Sequence, residues 1–442
     1  MKICSLYGAG FYYIPGTDTC IKVGGWVRMQ MGYGYNGNMT NGPMVGNVNN
    51  RSTNDFMTRN RGYITADARS QTEYGTLRGY IAVGLSNDNP IPGMTSTATT
   101  GGNGIVGGAQ GGVGFSANRA FIQFAGFTAG LSQSFYDFMG YSSLSYNGGS
   151  VWTPGGADTG DGGYQVLAYT AQLGNGLSAT ISAENPRNAA VAAYTAAGTV
   201  GVLVPSTVSP TTTSGREGNK YPDVVANLRI DQAWGSAQVM GALHDASASY
   251  NDATLTLSTH PSNKMGYAVG VGAKVNLPML GAGDYIEAQF NWAKGAVRYV
   301  AAGSNLSNTQ GATVGSGLQY DAVYLNGGEI EMTTAWSVGA GYQHNWNPKW
   351  KTSLYGGYTK FDYSDAANAV INSAANVTAG ANADFSTWQI GTRTAWAPVN
   401  NLEVGVDVMY TKLNSRNTGT ALTSTDQSAW ISHLRIQRNF YP

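Results

Sequence analysis

Segments in which every second residue is apolar, with polar or small residues between, recur along this whole chain. From residue 21 to 35 the odd positions read Ile21, Val23, Gly25, Val27, Met29, Met31, Tyr33 and Tyr35, and the even ones include Lys22, Arg28 and Gln30. A period of two puts these two sets on opposite faces of a strand, one oily and one wettable. Trp26 is the exception, an aromatic on the wettable face. Later segments repeat the pattern. Met265, Tyr267, Val269, Val271, Ala273 and Val275 alternate with glycines and Lys274, and Ile286, Ala288, Phe290 and Trp292 alternate with Glu287, Gln289 and Asn291.

The connections carry independent information. Short turns fall at 71–75, 126–130, 173–176, 233–236, 278–283, 347–349 and 398–401. Between them lie long polar stretches at 36–56, 86–118, 136–163, 185–220, 246–262, 295–329, 362–384 and 413–426. Fifteen connections join about sixteen strands whose two ends lie on one side. An all-β, antiparallel transmembrane barrel is written this way, with short periplasmic turns and long extracellular loops. In lipid every backbone polar group needs a partner, so such a sheet must close on itself. The lumen of a barrel this wide is not filled by its own side chains and holds water. The chain therefore reads as one barrel domain over residues 1–442.

Composition agrees. Only 11% of the 442 residues are charged, against roughly 25% in soluble domains. No run of about eighteen apolar residues occurs, so no membrane helix is expected. The 25 basic and 25 acidic residues balance, which argues against nucleic acid as a partner. The opening Met1-Lys2-Ile3-Cys4 has no apolar stretch and does not read as a signal peptide. Nucleophile-elbow, zinc-protease and phosphate-loop motifs are absent from the sequence. Its histidines, His244, His260, His344 and His433, are scattered without ligand spacing. Neither a cofactor nor a metal is expected. The competing classes are a barrel enzyme with a Ser/Asp/His cluster at its rim and a structural or adhesive surface protein; the latter predicts a regular repeat, which the sequence lacks.

Two cysteines, Cys4 and Cys20, flank the turn sequence Pro15-Gly16-Thr17-Asp18-Thr19. A hairpin over residues 1–20 brings them together, and an oxidising periplasm permits a disulfide of about 3 kcal/mol. Two free thiols are the alternative.

The wettable face of the first four strands collects arginines. With strands at about 57–71, 76–85 and 119–124, Arg28, Arg59, Arg61, Arg69, Arg78 and Arg119 all point inward. Neighbouring strands turn them into a basic strip on one wall, with Lys22 below. Charged walls tune what a pore admits, and Arg suits one because it stays protonated and presents a rigid fork of donors. The bland alternative is a set of arginines that merely hydrogen-bond in a wet lumen.

Three stretches resemble alphaproteobacterial outer-membrane porins of the rhizobial type: Cys4 through Arg28, Arg119 through Phe138, and the closing Leu434-Arg435-Ile436-Gln437-Arg438-Asn439-Phe440. The strand rhythm extends the resemblance along the chain. It implies a homotrimeric general-diffusion porin in outer-membrane lipid and lipopolysaccharide, passing small hydrophilic solutes. A substrate-specific channel is the rival within that class. The resemblance also implies that the third long loop, 136–163, folds into the lumen as a constriction, where Asp137, Asp158 and Asp161 would face the basic strip. Phe440 matches the aromatic residue that family members use as an assembly signal, but Tyr441 and Pro442 follow it.

Overall fold

The computed structural model describes residues 3–34, 56–88, 113–140, 145–146, 162–192, 218–248, 261–301, 319–325, 329–374, 383–415 and 427–440. Sixteen antiparallel strands form its wall. They are β1 (Cys20–Tyr33), β2 (Phe56–Thr72), β3 (Gly75–Asp88), β4 (Val113–Phe124), β5 (Phe127–Ser132), β6 (Tyr164–Gly174), β7 (Leu177–Glu184) and β8 (Asp223–Gln232). They continue as β9 (Gly235–Asp245), β10 (Met265–Asn276), β11 (Tyr285–Lys294), β12 (Thr334–Asn347), β13 (Trp350–Asp362), β14 (Phe385–Trp396), β15 (Leu402–Ser415) and β16 (Gln427–Asn439). Each pairs with its chain neighbours, and β1 pairs with β16 from Trp26 opposite Asn439 to Tyr33 opposite Ser432. That last ladder closes the sheet and removes its edges. Among the described residues no helix is long and apolar enough to cross a membrane; the strands do the crossing.

The alternation read from the sequence is the alternation of burial. Along β10, Met265, Tyr267, Val269 and Val271 are exposed while Gly266, Ala268, Gly270 and Gly272 are buried. The exposed set is apolar, so the outside of the barrel is a lipid surface. Exposed aromatics mark its two rims. Tyr74, Phe127, Trp234, Trp346, Trp350 and Trp396 sit beside the short turns, and Tyr33, Phe56, Tyr221 and Trp430 sit beside the long connections. Aromatic girdles at both interfaces are the expected anchors of such a barrel. Arg438 faces outward at the turn end, where its guanidinium donates to the Asn400 carbonyl.

Short turns join the strands at all seven expected connections, but the one expected at 126–130 is the tighter Ala125-Gly126, and residues 127–130 belong to β5. Two of them, Ala125-Gly126 and Asn175-Gly176, have positive φ at both residues, the backbone that matches the twist of the flanking strands.

The fourth strand differs from expectation. It begins at Val113, not near residue 119, and its partner β3 runs on to Asp88. The cause is a bulge: Ala82 pairs with Arg119 but Val83 pairs with Ala117, leaving Asn118 as the extra residue. A bulge breaks the period of two and hides the first half of the strand from a periodicity reading. Arg119 accordingly lies mid-strand and not at the mouth.

The long connections also hold structure that the sequence reading treats as plain loop. Tyr320–Tyr324 pairs with Ile330–Met332 antiparallel and with Ala190–Ala192 parallel, joining two connections in one small sheet. A helix, α1 (Asp365–Ala374), starts behind Ser364, whose hydroxyl accepts from the Ala367 amide, an N-cap. These pieces pack into the largest buried cluster, where Tyr136, Phe138, Tyr299 and Tyr320 meet Met240, Ala268 and Ala293 from the inner face of the wall.

Candidate functional site: an asymmetric lumen

The inner wall has two unlike halves. Along β9, β10 and β11 every inward side chain near the middle is buried, including Met240, Ala242, Ala268, Gln289 and Asn291. Connections folded inside the barrel cover them. Along β1 and β3 the inward Lys22, Trp26, Arg28, Arg78 and Tyr80 stay partly open. On β2 between them Arg59, Arg61, Tyr63 and Asp67 are buried, so the open part of the lumen lies against Lys22, Arg28, Arg69 and Arg78.

The connection after β5 builds this asymmetry. The Phe135 amide donates to Glu184 Oε1 on β7 (2.9 Å), and its carbonyl accepts from Asn227 on β8 (2.6 Å). The Met139 amide donates to Gln289 Oε1 on β11 (3.1 Å). Six residues later the chain has reached β15 and β16. There Ser145 donates to Asp407, the Tyr146 amide donates to Asp407 Oδ2 (3.0 Å), and Arg435 donates to the Tyr146 carbonyl (2.7 Å). Near its end, Gly162 offers its carbonyl to Arg119 on β4. Small wall residues make the room. A Cβ on Gly272 would strike the Phe138 ring, and one on Gly405 would strike Tyr146.

The structure brings the sequence-singled arginines onto adjacent strands. Arg28 stands opposite Arg61, and Arg69 opposite Arg78. Arg28 Nε donates to Gln437 Oε1 (2.7 Å) and its guanidinium lies 4.1 Å from the Trp26 ring centroid. Arg61 Nη2 donates to Gln30 Oε1 (2.9 Å), and Arg59 lies opposite Gln30 across the same strand pair. Trp26, inward as the period requires, stacks on Tyr63 at 4.7 Å. Arg69 and Arg78 form a lower pair that shares one carboxylate: Asp67 accepts from Arg69 at 2.7 Å and from Arg78 at 2.9 Å.

The basic wall is wider than the six residues found by sequence. Arg435 pairs in register with Gln30 across the closing seam, and His433 lies within electrostatic reach of Arg435, Arg59, Arg61 and Arg28. Arg393 on β14 stacks over Tyr146 at 4.9 Å, beside Arg435 at 4.2 Å. Barrel closure was the available signal, since it makes β16 the neighbour of β1.

The acids are arranged otherwise than the sequence reading has them. Asp137 holds Arg187 at 2.7 Å with both side chains buried. It lies at the β7–β11 side, so it ties the loop to the following connection. Asp158 and Asp161 lie outside the described residues. Carboxylates missed by sequence do approach the strip: Asp407 opposes Arg393 in register, and Glu403 accepts from the Tyr146 hydroxyl (3.0 Å) and Lys351 (2.7 Å).

At the turn end, Cys4 and Cys20 are joined in a disulfide. The hairpin they close turns its aromatics inward, with Phe11 at 4.9 Å and Tyr7 at 5.7 Å from the Arg69 guanidinium. Phe440 seals the seam from outside, its amide donating to the Gly25 carbonyl (2.8 Å).

A closed sixteen-stranded barrel with an apolar belt, aromatic rims and a charged, loop-lined interior is an outer-membrane barrel of the channel class. The chain belongs to the porin subfamily, whose family model matches residues 1–433. Porin Omp2b of Brucella suis biovar 1 is 28% identical over 243 residues, 53% of this chain and 54% of that protein, so the matched stretch spans about half of the relative. The fold is similar to that of the outer membrane channel DcaP of Acinetobacter baumannii, with a TM-score of 0.63 and 15% identity over 97% of this chain and 99% of that one. It is also similar to OmpT of Vibrio cholerae in a trimer form, with a TM-score of 0.50 and 7% identity over 96% of this chain and 100% of that one. The outer membrane of a Gram-negative bacterium is where such a chain resides.

Proposed function

We propose that the chain is a general-diffusion porin: a water-filled channel, not an enzyme, that passes small hydrophilic solutes and ions down their gradients. The observation that carries this reading is the unequal filling of the lumen. One half of the inner wall is packed under folded-in connections, and the other keeps Arg28, Arg69, Arg78 and Arg119 partly exposed, with Arg59 and Arg61 buried beside them. A plug without a transport role has no need of that open, charged half. The basic strip acts as the selectivity wall, with Arg28, Arg59 and Arg61 at mid-height, Arg119 facing the returning loop, and Arg69 and Arg78 below. Fixed positive charge raises the local concentration of anions. The loop 136–163 acts as the constriction, and Phe440 as the assembly signal.

Three copies of the chain form the working unit in this reading, with outer-membrane lipid and lipopolysaccharide around the apolar belt. The test is conductance in planar bilayers with the refolded, full-length protein. Current steps grouped in threes and a preference for anions over cations are the expected results. Folded protein that gives no steps would sink the reading.

A further inference from the structure

We propose that the disulfide-closed hairpin and the base of β1–β3 form a binding subsite for small aromatic carboxylates at the periplasmic end of the lumen. The inference rests on the channel reading above and adds a ligand class to it. A recess of about 520 Å³ opens there, lined by Tyr7, Phe11, Lys22, Asp67, Arg69 and Tyr80. That volume falls in the range of sites that hold small molecules.

The chemistry of the lining is two-fold. Lys22, Arg69 and the adjoining Arg78 gather three cations around the recess, and Asp67 is the carboxylate in its lining. Asp67 holds both guanidiniums in place, while their side chains remain 28% and 27% exposed. They are fixed yet reachable. The second component is aromatic. Phe11 and Tyr7 lie beside Arg69, Tyr80 lies 5.2 Å from Arg78, and Tyr80 stacks on Phe121 at 5.3 Å. A diffusion wall that only screens ions has no use for these rings. The chain supplies two of them by folding an entire hairpin under the barrel and closing it covalently. A bound ring would pack on Tyr7 and Tyr80 while its carboxylate meets Lys22 and Arg69. An aliphatic anion would make only the second contact, and a neutral ring only the first.

The position suits a solute in transit. Arg69 and Arg78 flank the turn at Thr72–Gly75, so the recess lies at the short-turn end, below the Arg28–Arg61 level. Exposure to water keeps the affinity weak, in the millimolar range, which allows a solute to leave.

The test pairs a binding measurement with a transport measurement on the full-length refolded protein. Saturation-transfer NMR with benzoate reads binding whether or not the channel conducts, and acetate and benzyl alcohol are the single-feature controls. Benzoate is expected to bind saturably and to be outcompeted by neither control at equal concentration. Tyr7→Ala and Lys22→Gln are each expected to weaken it about tenfold, with the far-ultraviolet circular dichroism of each variant matching the parent. In bilayers, benzoate added at the periplasmic side should reduce current with the same half-effect. Absence of benzoate binding, equal binding of acetate, or affinity unchanged in both variants would overturn the subsite while conductance alone still supports a channel. Binding without any conductance would instead remove the channel reading and leave the site.

Discussion

Arg28 and Arg61 stand directly opposite each other across β1 and β2, and neither guanidinium turns to the other for a partner. Arg28 takes Gln437 on β16, and Arg61 takes Gln30 on β1. Like charges in direct cross-strand opposition cost up to about 1 kcal/mol, so the placement serves something other than stability. Replacing both with serine is expected to move the reversal potential in a salt gradient toward cations, with the anion-to-cation permeability ratio falling several-fold. Arg28→Ser alone should alter unfolding free energy by less than about 1 kcal/mol. Unchanged selectivity in the double variant would place the filter elsewhere on the wall.

Asp407 fastens the lumenal loop. It accepts from the Ser145 hydroxyl, the Tyr146 amide and the Tyr355 hydroxyl, and it is 3% exposed. An asparagine there keeps the shape but turns an NH2 group toward at least one of these donors. Asp407→Asn should cost about 2 kcal/mol or more in unfolding free energy. It should also raise open-channel current noise, since the loop loses its hold beside Arg435. A variant as quiet and as stable as the parent would show that the other contacts of Tyr146 suffice.

What the sequence could reveal follows from the physics of each feature. Alternation along β10 and β11 was legible because lipid and lumen sort side chains one by one. The bulge at Asn118 was not, because an inserted residue shifts the phase without changing composition. The inner arginines of β1–β4 were legible as a set, while Arg435 and Arg393 required the barrel to be closed in three dimensions. Tyr320–Tyr324 escaped because all five residues are buried, so no polar face alternates with an apolar one. Asp137 was visible as a loop acid, but its commitment to Arg187 is a long-range pairing that spacing does not encode. The helix α1 carries a readable start signal, Ser364 followed by Asp365-Ala366-Ala367, inside a long polar connection.

The Arg187–Asp137 pair is the buried tie between two connections. Arg187 also lies 4.3 Å from the Tyr164 ring and 4.6 Å from Tyr299. Removing one member of a buried pair leaves the other charge without compensation, at about 3–5 kcal/mol. Arg187→Met should show that loss in urea unfolding, and Arg187→Met with Asp137→Leu should recover most of it. Additive losses in the double variant would mean that the two residues act separately.

Asp284 gives the barrel an acid-sensitive clasp at the turn end, in the connection between β10 and β11. Its carboxylate accepts from the Asn345 amide (2.8 Å), His344 Nδ1 (2.6 Å) and the Tyr342 hydroxyl (3.0 Å), pinning the turn to β12. Burial pushes the carboxyl pKa upward, but these three donors outweigh it, and the net shift is downward. A depressed carboxyl pKa contributes stability that is fully present above the unfolded value of about 3.9 and fades as pH falls through the folded value. Thermal midpoints should therefore be flat above about pH 4 with respect to this group and decline below it. In Asp284→Asn the midpoint should be lower at neutral pH, with a shallower decline in acid. Parallel curves for the two proteins would mean that other carboxylates govern the acid response.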